Sequence, residues 1–426
     1  MASLLRILLR LLPMILTGSS CLSLCAQEAL PTLLKETMPR KASDLVHSVG
    51  VNTHFGYSDT QYARYEELLK PRLLELGVKH FRDGTFNPEV VEKYKEMGKH
   101  GLKLLLITRS DRAVVQARQL GDMLFGLEGE NEPDNRNRSG WESQLRAEQQ
   151  ALFTAVKSNP ATQSLPVVVS SLANIRSNPG KLGNLEPWLD FGNMHPYAAG
   201  QPPSRHWGWG LTMQAAIDSA RLVSGNKPLL VTECGYHNKE NNPNHPGVSE
   251  LAAAIYHPRL IFVYFNQGIV RSYKYEFLDL KPDIGYTDME CHFGLIRADG
   301  SPKPSFFSIK NTLAILNDTD TEFTPEPLFF SLESSQPDLH YTLLQKSDGS
   351  HWLVLFREVS VYDLATRKDL PVRSAKVTLS LRRRSNLTLF EPNQSSDPLF
   401  SRKMIMDLKL ELYGEMVIVK ISSEEM

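Results

Sequence analysis

The chain has 426 residues, 41% of them apolar and 22% charged, and a formal net charge of −1. That apolar share is enough for ordinary packed cores and excludes a disordered or collagen-like chain, while near-zero charge leaves no basic stripe of the kind nucleic acid requires. The length suits two or three domains, or a long barrel with an appended domain.

At the start, Arg6 and Arg10 lie in an apolar run from Leu4 to Leu16, followed by Thr17-Gly18-Ser19-Ser20. A positive beginning, a short apolar centre and a small polar tail read as a secretory signal, with cleavage expected near Ala26. The run is too short to cross a bilayer, which takes about 20 apolar residues, and no later segment is long enough either. Neither Cys21 nor Cys25 has a Leu three residues upstream followed by small residues, so lipoprotein anchoring is disfavoured. The expected product is a secreted or periplasmic protein without a membrane span, in which residues 27–46 lead into the first domain. Two cysteines then remain, Cys234 and Cys291, too few for a disulfide framework and compatible with one bridge or with two buried thiols.

From His47 to Leu316, eight short apolar runs alternate with helical stretches. The runs are Ser48–Thr53, Val78–Arg82, Leu102–Thr108, Met123–Glu130, Pro166–Ser171, Phe191–His195, Pro228–Glu233 and Ile269–Phe277. They are continuous rather than alternating, as strands buried on both faces of a parallel sheet should be. Helices are expected at Thr60–Leu76, Pro88–His100, Gly140–Lys157, Met213–Ser224, Ser249–Asn266 and Lys303–Leu316. The repeat of about 34 residues per strand–helix unit predicts an α/β fold, a (β/α)₈ barrel over residues 47–316, close to the ~250 residues such barrels take. A doubly wound open sheet is the competing arrangement, but Asn52-Thr53-His54-Phe55-Gly56 after the first strand is not a glycine-rich phosphate loop.

After Asn317 the texture changes. Residues 318–327 read as a linker, and short alternating runs follow at Tyr341–Gln345, Trp352–Phe356, Ala375–Leu381, Leu387–Phe390, Lys409–Leu412 and Met416–Ile421. They predict a C-terminal β-sandwich over residues 317–426.

In a (β/α)₈ barrel the chemistry sits at the C-terminal ends of the strands. Polar residues at those ends are Asn52, His54, Arg82, Asp83, Arg109, Asn131, Glu132, His195, Tyr197, Glu233, Tyr275 and Glu276. Glu132, in Asn131-Glu132-Pro133, and Glu233, in Thr232-Glu233-Cys234-Gly235-Tyr236, fall on strands four and seven, whose ends face one another across a barrel mouth. A pair of carboxyl groups flanking one bond is the apparatus of glycoside hydrolysis, one protonated to donate to the leaving oxygen and the other ionised to attack or to activate water.

Asn-Glu-Pro after the fourth strand, with a Glu in Thr-Glu-Cys-Gly-Tyr ending the seventh, resembles clan A of the glycoside hydrolases, retaining (β/α)₈ enzymes, and family 39 within it most nearly. The resemblance covers His47 to Leu316, and a small β domain often follows this barrel. It implies that Glu132 is the acid/base and Glu233 the nucleophile, that Asn131 meets the 2-hydroxyl of the sugar, that Arg82 keeps the nucleophile ionised, and that His195 or Tyr197 orients the nucleophile or touches the sugar. Many clan members carry Trp at the end of strand eight. Here the stretch is Ser272-Tyr-Lys-Tyr-Glu-Phe, so Tyr275 or Phe277 is the expected platform.

Trp207 and Trp209, after strand six, are further candidates for stacking on sugar, and His237 and Asn238, just past Glu233, for reaching it. His54 is expected to line the pocket and not to bind metal, since no second His lies at ligand spacing. No cofactor and no metal is expected. A carbohydrate substrate is the expected partner, nucleic acid is not, and oligomeric state is not legible. A non-catalytic carbohydrate-binding barrel and a transglycosylase share the same residues and stand as alternatives to a hydrolase.

Overall fold

The computed structural model describes residues 34–136, 139–204 and 211–423. The eight barrel strands are Val49–Asn52, His80–Asp83, Lys103–Ile107, Leu124–Glu128, Val167–Val168, Gly192–Met194, Leu229–Cys234 and Arg271–Lys274. They run parallel in chain order, strand eight pairs strand one, and a bridge from Val168 to Phe191 closes the ring between strands five and six. All eight apolar runs of the sequence hold one barrel strand each. The alternation hidden inside a continuous run appears in strand three. Leu104 and Leu106 pack outward into the main core, while Leu105 joins Val168, Leu230 and Tyr273 in a small cluster of its own inside the barrel. Gly50 is required there, because a Cβ would come within 2.5 Å of the Tyr273 ring.

Helices lie where the 3.6-residue periodicity puts them: Pro88–Lys99, Trp141–Lys157, Met213–Ser224, Glu250–Asn266 and Pro304–Leu316. Asn87, Thr212 and Ser249 cap three of them by accepting from backbone N–H groups of the first turn. The expected helix over Thr60–Leu76 is instead three pieces, a 3₁₀ turn at Gln61–Ala63, a π turn at Tyr65–Leu69 and an α-helix at Lys70–Leu76. Pro71 has no N–H for the carbonyl four residues back, and the chain loosens ahead of it.

The C-terminal domain is an antiparallel sheet folded on itself into a sandwich. Ala375–Leu381 and Leu387–Phe390, expected as separate strands, are one strand, Ala375–Phe390. Its first half pairs with Leu328–Ser334 and its second with Val417–Ser422, and the register shifts between Ser380 and Ser385 where it passes from one layer to the other. Residues 34–41 are not simply a lead-in: Lys35–Thr37 pairs with Leu328–Phe330, and Arg40–Lys41 pairs with Leu344–Gln345. They cover the outer edges of the strands Leu328–Ser334 and Leu339–Gln345, which would otherwise expose unpaired backbone.

Strand His351–Arg357 shows how the domains join. Leu353 and Leu355 face the sandwich core, while Trp352, Val354 and Phe356 belong to the barrel's core cluster. The helix Glu250–Asn266 is buried almost all round because the barrel covers one face and the sandwich the other. Arg259, fully buried in it, donates to the carbonyl oxygens of Val359 at 2.7 Å and Gly414 at 3.2 Å. Cys234 and Cys291 are both free and buried. Among the described residues no helix is long and apolar enough to cross a membrane.

Candidate active site

The C-terminal ends of strands two, four, six and seven bring six of the sequence-predicted residues together: Arg82, Asn131, Glu132, His195, Tyr197 and Glu233. Arg82, buried at the end of strand two, is the hub. Its Nε and Nη2 donate to the two oxygens of Glu128 at 2.7 and 2.8 Å. Nη1 donates to Glu233 Oε1 at 2.8 Å and to Asn52 Oδ1 at 2.9 Å, and Nη2 also reaches Asn131 Oδ1 at 2.7 Å. Because arginine only donates, the Asn131 amide is turned with its oxygen inward and its Nδ2 left to donate elsewhere. Burial works against the charge of Arg82, but the flanking carboxylates outweigh it and hold the guanidinium protonated well past its ordinary range.

Glu233 ends strand seven and is 7% exposed. Burial alone would push its carboxyl up. The charges of His195 and Arg82, with hydrogen bonds from Tyr197 and Arg82, outweigh it and hold the carboxyl below the usual carboxylate range. Tyr197 donates its O–H to Glu233 Oε2 at 2.9 Å, and burial beside Glu233 keeps that phenol protonated.

Glu132 lies four residues past the end of strand four, in a turn with φ of +46°. A non-glycine residue rarely adopts that conformation, and the surrounding loop enforces it. Asp134 anchors this loop by accepting from the N–H groups of Ala173 and Asn174 and from Asn178 Nδ2 at 2.8–3.0 Å. The Glu132 side chain meets His195 Nδ1 at 2.8 Å, and the same nitrogen is 3.5 Å from Glu233 Oε2. Carboxyl oxygens of Glu132 and Glu233 fall within 4.8 Å of one another.

Glu132, His195 and Glu233 are close enough to surround an ion. Their donor atoms are engaged otherwise: Glu132 meets His195 directly, and Glu233 accepts from both Arg82 and Tyr197. Two zinc ligands at about 2.0–2.1 Å from the metal stand further apart than the 2.8 Å of the His195–Glu132 contact, and an arginine beside a cation is repelled. The trio fits proton chemistry better than ligation.

The wall from strands one and eight holds His54, Tyr275, Glu276 and Glu290. His54 stacks on Tyr57 with centroids 4.3 Å apart, and its Nε2 is 3.2 Å from Glu276 Oε2. Glu276 is fully buried, which raises its carboxyl, and accepts from Tyr62 O–H at 3.0 Å. Tyr275 follows strand eight with its ring edge-on to His54 and Phe293, and donates to Glu290 Oε2 at 3.1 Å. Burial, with the charges of Glu276 and Glu233, pushes the Glu290 carboxyl up to about 7 despite that hydrogen bond.

His237 does not stand where the sequence reading put it. It is wholly buried, its Nε2 is 2.7 Å from the carbonyl of His245, and its Nδ1 accepts from Lys239 N–H. Both nitrogens organise the loop after strand seven and neither faces the pocket. Arg109, after strand three, is exposed. Trp207 and Trp209 lie outside the described residues. Cys234 adjoins Glu233, but burial pushes its thiol up to about 12, which leaves it protonated and inert.

Sequence reasoning missed Glu128, Thr232 and Glu290. Glu128 is a fully buried carboxyl at the end of an apolar strand, visible in the sequence only as an interruption of the Met123–Glu130 run.

The histidine pair sets an acid limit on folding. Burial lowers His237 to about 3 and His245 to about 4. Both are neutral in the fold and take up protons near pH 6.5 once unfolded, so the unfolded chain binds more protons between pH 6.5 and 4. Their contribution is present above pH 6.5 and lost progressively below it. The thermal midpoint should therefore fall as pH drops through that window, and more gently in His245→Asn. An equal slope in the variant contradicts the assignment.

No protein-family model matches the sequence, and no curated protein matches it. Its fold is nevertheless shared. A family 39 glycoside hydrolase from Bacteroides cellulosilyticus superposes with a TM-score of 0.55 at 14% identity, covering 89% of this chain and 82% of that one. The fold is that of the TIM-barrel glycoside hydrolases. A glucosidase from Croceicoccus marinus (TM-score 0.57, 11% identity, 93% and 97% covered) has the same architecture. So does a family 51 arabinofuranosidase from Xanthomonas axonopodis (TM-score 0.55, 12% identity, 92% and 98% covered). These two alignments span both domains of the TIM-barrel glycosidase fold, because each covers more than nine-tenths of this chain.

Proposed function

We propose that this chain is an exported retaining glycoside hydrolase in which Glu233 is the nucleophile and Glu132 the acid/base. The observation that carries the reading is the carboxyl spacing. Oxygens of Glu132 and Glu233 lie within 4.8 Å, near the ~5–5.5 Å of retaining pairs and short of the ~6.5–9.5 Å that leaves room for an inverting water. Their surroundings divide the roles. Glu233 is held ionised by Arg82 and Tyr197, as attack on the anomeric carbon requires. Glu132 has His195 as its side-chain partner among the described residues, and is placed to protonate the leaving oxygen.

In the first step a Glu233 oxygen bonds to the anomeric carbon while the glycosidic bond breaks and its oxygen takes a proton from Glu132. In the second, Glu132 removes a proton from water, whose oxygen displaces Glu233 and releases the sugar. Asn131 Nδ2, freed to donate by the Arg82 contact, is placed to strengthen its bond to the 2-hydroxyl as charge develops. The exported character rests on the charged and apolar pattern of residues 1–26. Near-zero net charge favours a neutral or mildly charged glycan over a polyanion. A non-catalytic sugar-binding barrel would have no need of the close carboxyl pair.

The test is turnover by the purified protein on a panel of aryl glycosides and polysaccharides. Hydrolysis of at least one supports the reading, and binding without release on all of them supports the non-catalytic alternative.

A further inference from the structure

The acid of a retaining pair must hold a proton before the glycosidic bond breaks. The hydrogen bonds around Thr232 decide where that proton can rest. Thr232 Oγ1 lies 3.0 Å from Glu128 Oε1, 2.9 Å from Asn193 Oδ1 and 2.8 Å from His195 Nε2. Glu128 accepts from Arg82 on both oxygens and from Asn193 Nδ2 at 3.0 Å, so it has no proton to offer. Asn193 Nδ2 donates to Glu128 and to the Val169 carbonyl, which turns its Oδ1, an acceptor, toward Thr232. A hydroxyl has one proton, and Thr232 gives it to one of those two oxygens. None is left for His195. The 2.8 Å contact therefore runs the other way, with His195 Nε2–H donating to Thr232 Oγ1. The opposite nitrogen, Nδ1, sits 2.8 Å from Glu132 Oε1. Two bare acceptors repel at that distance, so one proton lies between them.

We propose that Thr232, fixed by Glu128 and Asn193, is a positioning residue that pins one proton of His195 on Nε2, so that the contact between His195 Nδ1 and Glu132 stores the proton delivered to the leaving group. The inference rests on the acid role of Glu132 proposed above. The stored proton is written on Glu132 beside a neutral imidazole, or on Nδ1 beside a carboxylate. In either form one proton passes to the leaving oxygen as the glycosidic bond breaks, and one returns from the water that attacks the glycosyl-enzyme. The groups that face His195 are Glu132 from the loop after strand four, Glu128 from strand four through Thr232, Glu233 from strand seven and Arg82 from strand two. Tyr197 lies on its own loop, and Tyr275 and Glu290, beyond strand eight, act through Glu233.

Two measurements test this. The first needs no substrate: nitrogen NMR of the full chain labelled at histidine, with His195→Asn identifying the His195 signals. Protonated Nε2 at neutral pH is expected in the wild type, and in Thr232→Val the proton is expected to redistribute toward Nδ1. A bare Nε2 in the wild type overturns the proposal.

The second uses glycosides of the sugar that the panel selects. Thr232→Val should lower kcat/KM about tenfold on the phenyl glycoside, whose leaving group needs protonation, and leave the 2,4-dinitrophenyl glycoside nearly unchanged. Thr232→Ser, which keeps the hydroxyl, should restore the phenyl rate. Equal losses on both glycosides, or no rescue by Ser, mean that Thr232 is structural only. If no glycoside is turned over, the hydrolase reading fails while the NMR result still stands by itself.

Discussion

Replacing Glu233 by Gln is expected to abolish turnover of any glycoside this protein hydrolyses, by roughly 10⁴–10⁶-fold, the range seen when an attacking side chain is removed from a nucleophilic enzyme. Gln keeps the size, and its oxygen can still accept from Arg82 or Tyr197, so the fold has little reason to suffer. What is lost is the negative charge. An amide oxygen is a poor nucleophile, and with that oxygen kept on Arg82 Nη1 the NH₂ is turned to the Tyr197 hydroxyl, which can accept from it. The check is kcat on the best substrate of the panel, with a circular dichroism spectrum to show that the fold is kept. Retained turnover removes Glu233 from the nucleophile role.

Arg82→Ala is expected to cost both stability and activity. The guanidinium lies between two buried carboxyl groups, Glu128 and Glu233, and ties in Asn52 and Asn131 as well. Without it, two acidic groups face each other with no buried cation between them. Breaking a buried ion pair by deleting one partner costs about 3–5 kcal/mol, and the carboxyls must then take up protons to stay buried. Protonation of Glu233 removes the nucleophile. Arg82→Lys does not repair the loss, because an ammonium lacks the planar fork that meets both oxygens of Glu128 while reaching Glu233. Chemical denaturation should show the lower midpoint in Arg82→Ala, and the Lys variant should regain part of the stability but little of the rate. Wild-type activity in the Lys variant would show that the point charge alone suffices.

Much of the barrel is written in the sequence because each strand is buried on both faces and so reads as a continuous apolar run. Three of its helices also carry a capping residue at their start, Asn87, Thr212 and Ser249. The edges of the sandwich are not legible in this way, since Lys35-Glu36-Thr37 and Arg40-Lys41 carry no apolar pattern and pair only because the sheet leaves edges to be covered. Arg382-Arg383-Arg384 likewise carries no apolar pattern and falls between two expected strands, whereas the long strand continues through it as it changes layer. In the site, Glu132 and Glu233 stood out because their local motifs and strand ends were visible. Glu128 and Thr232 did not, because their roles depend on partners contributed by strands two and six, and a single carboxyl or hydroxyl in an apolar run carries no sign of what it faces. His237 shows the reverse: proximity in sequence to Glu233 suggested substrate contact, but the chain turns it inward onto His245.

The central claim is that Glu132 and Glu233 act as a retaining pair. Its most direct measurement is proton NMR of the first sugar released from the best aryl glycoside, recorded before the product mutarotates. A close carboxyl pair and a covalent Glu233 intermediate predict that the first-formed sugar has the same anomeric configuration as the substrate. The opposite anomer would mean that water attacks directly, and would contradict both the role of Glu233 and the meaning given to carboxyl oxygens lying within 4.8 Å of one another.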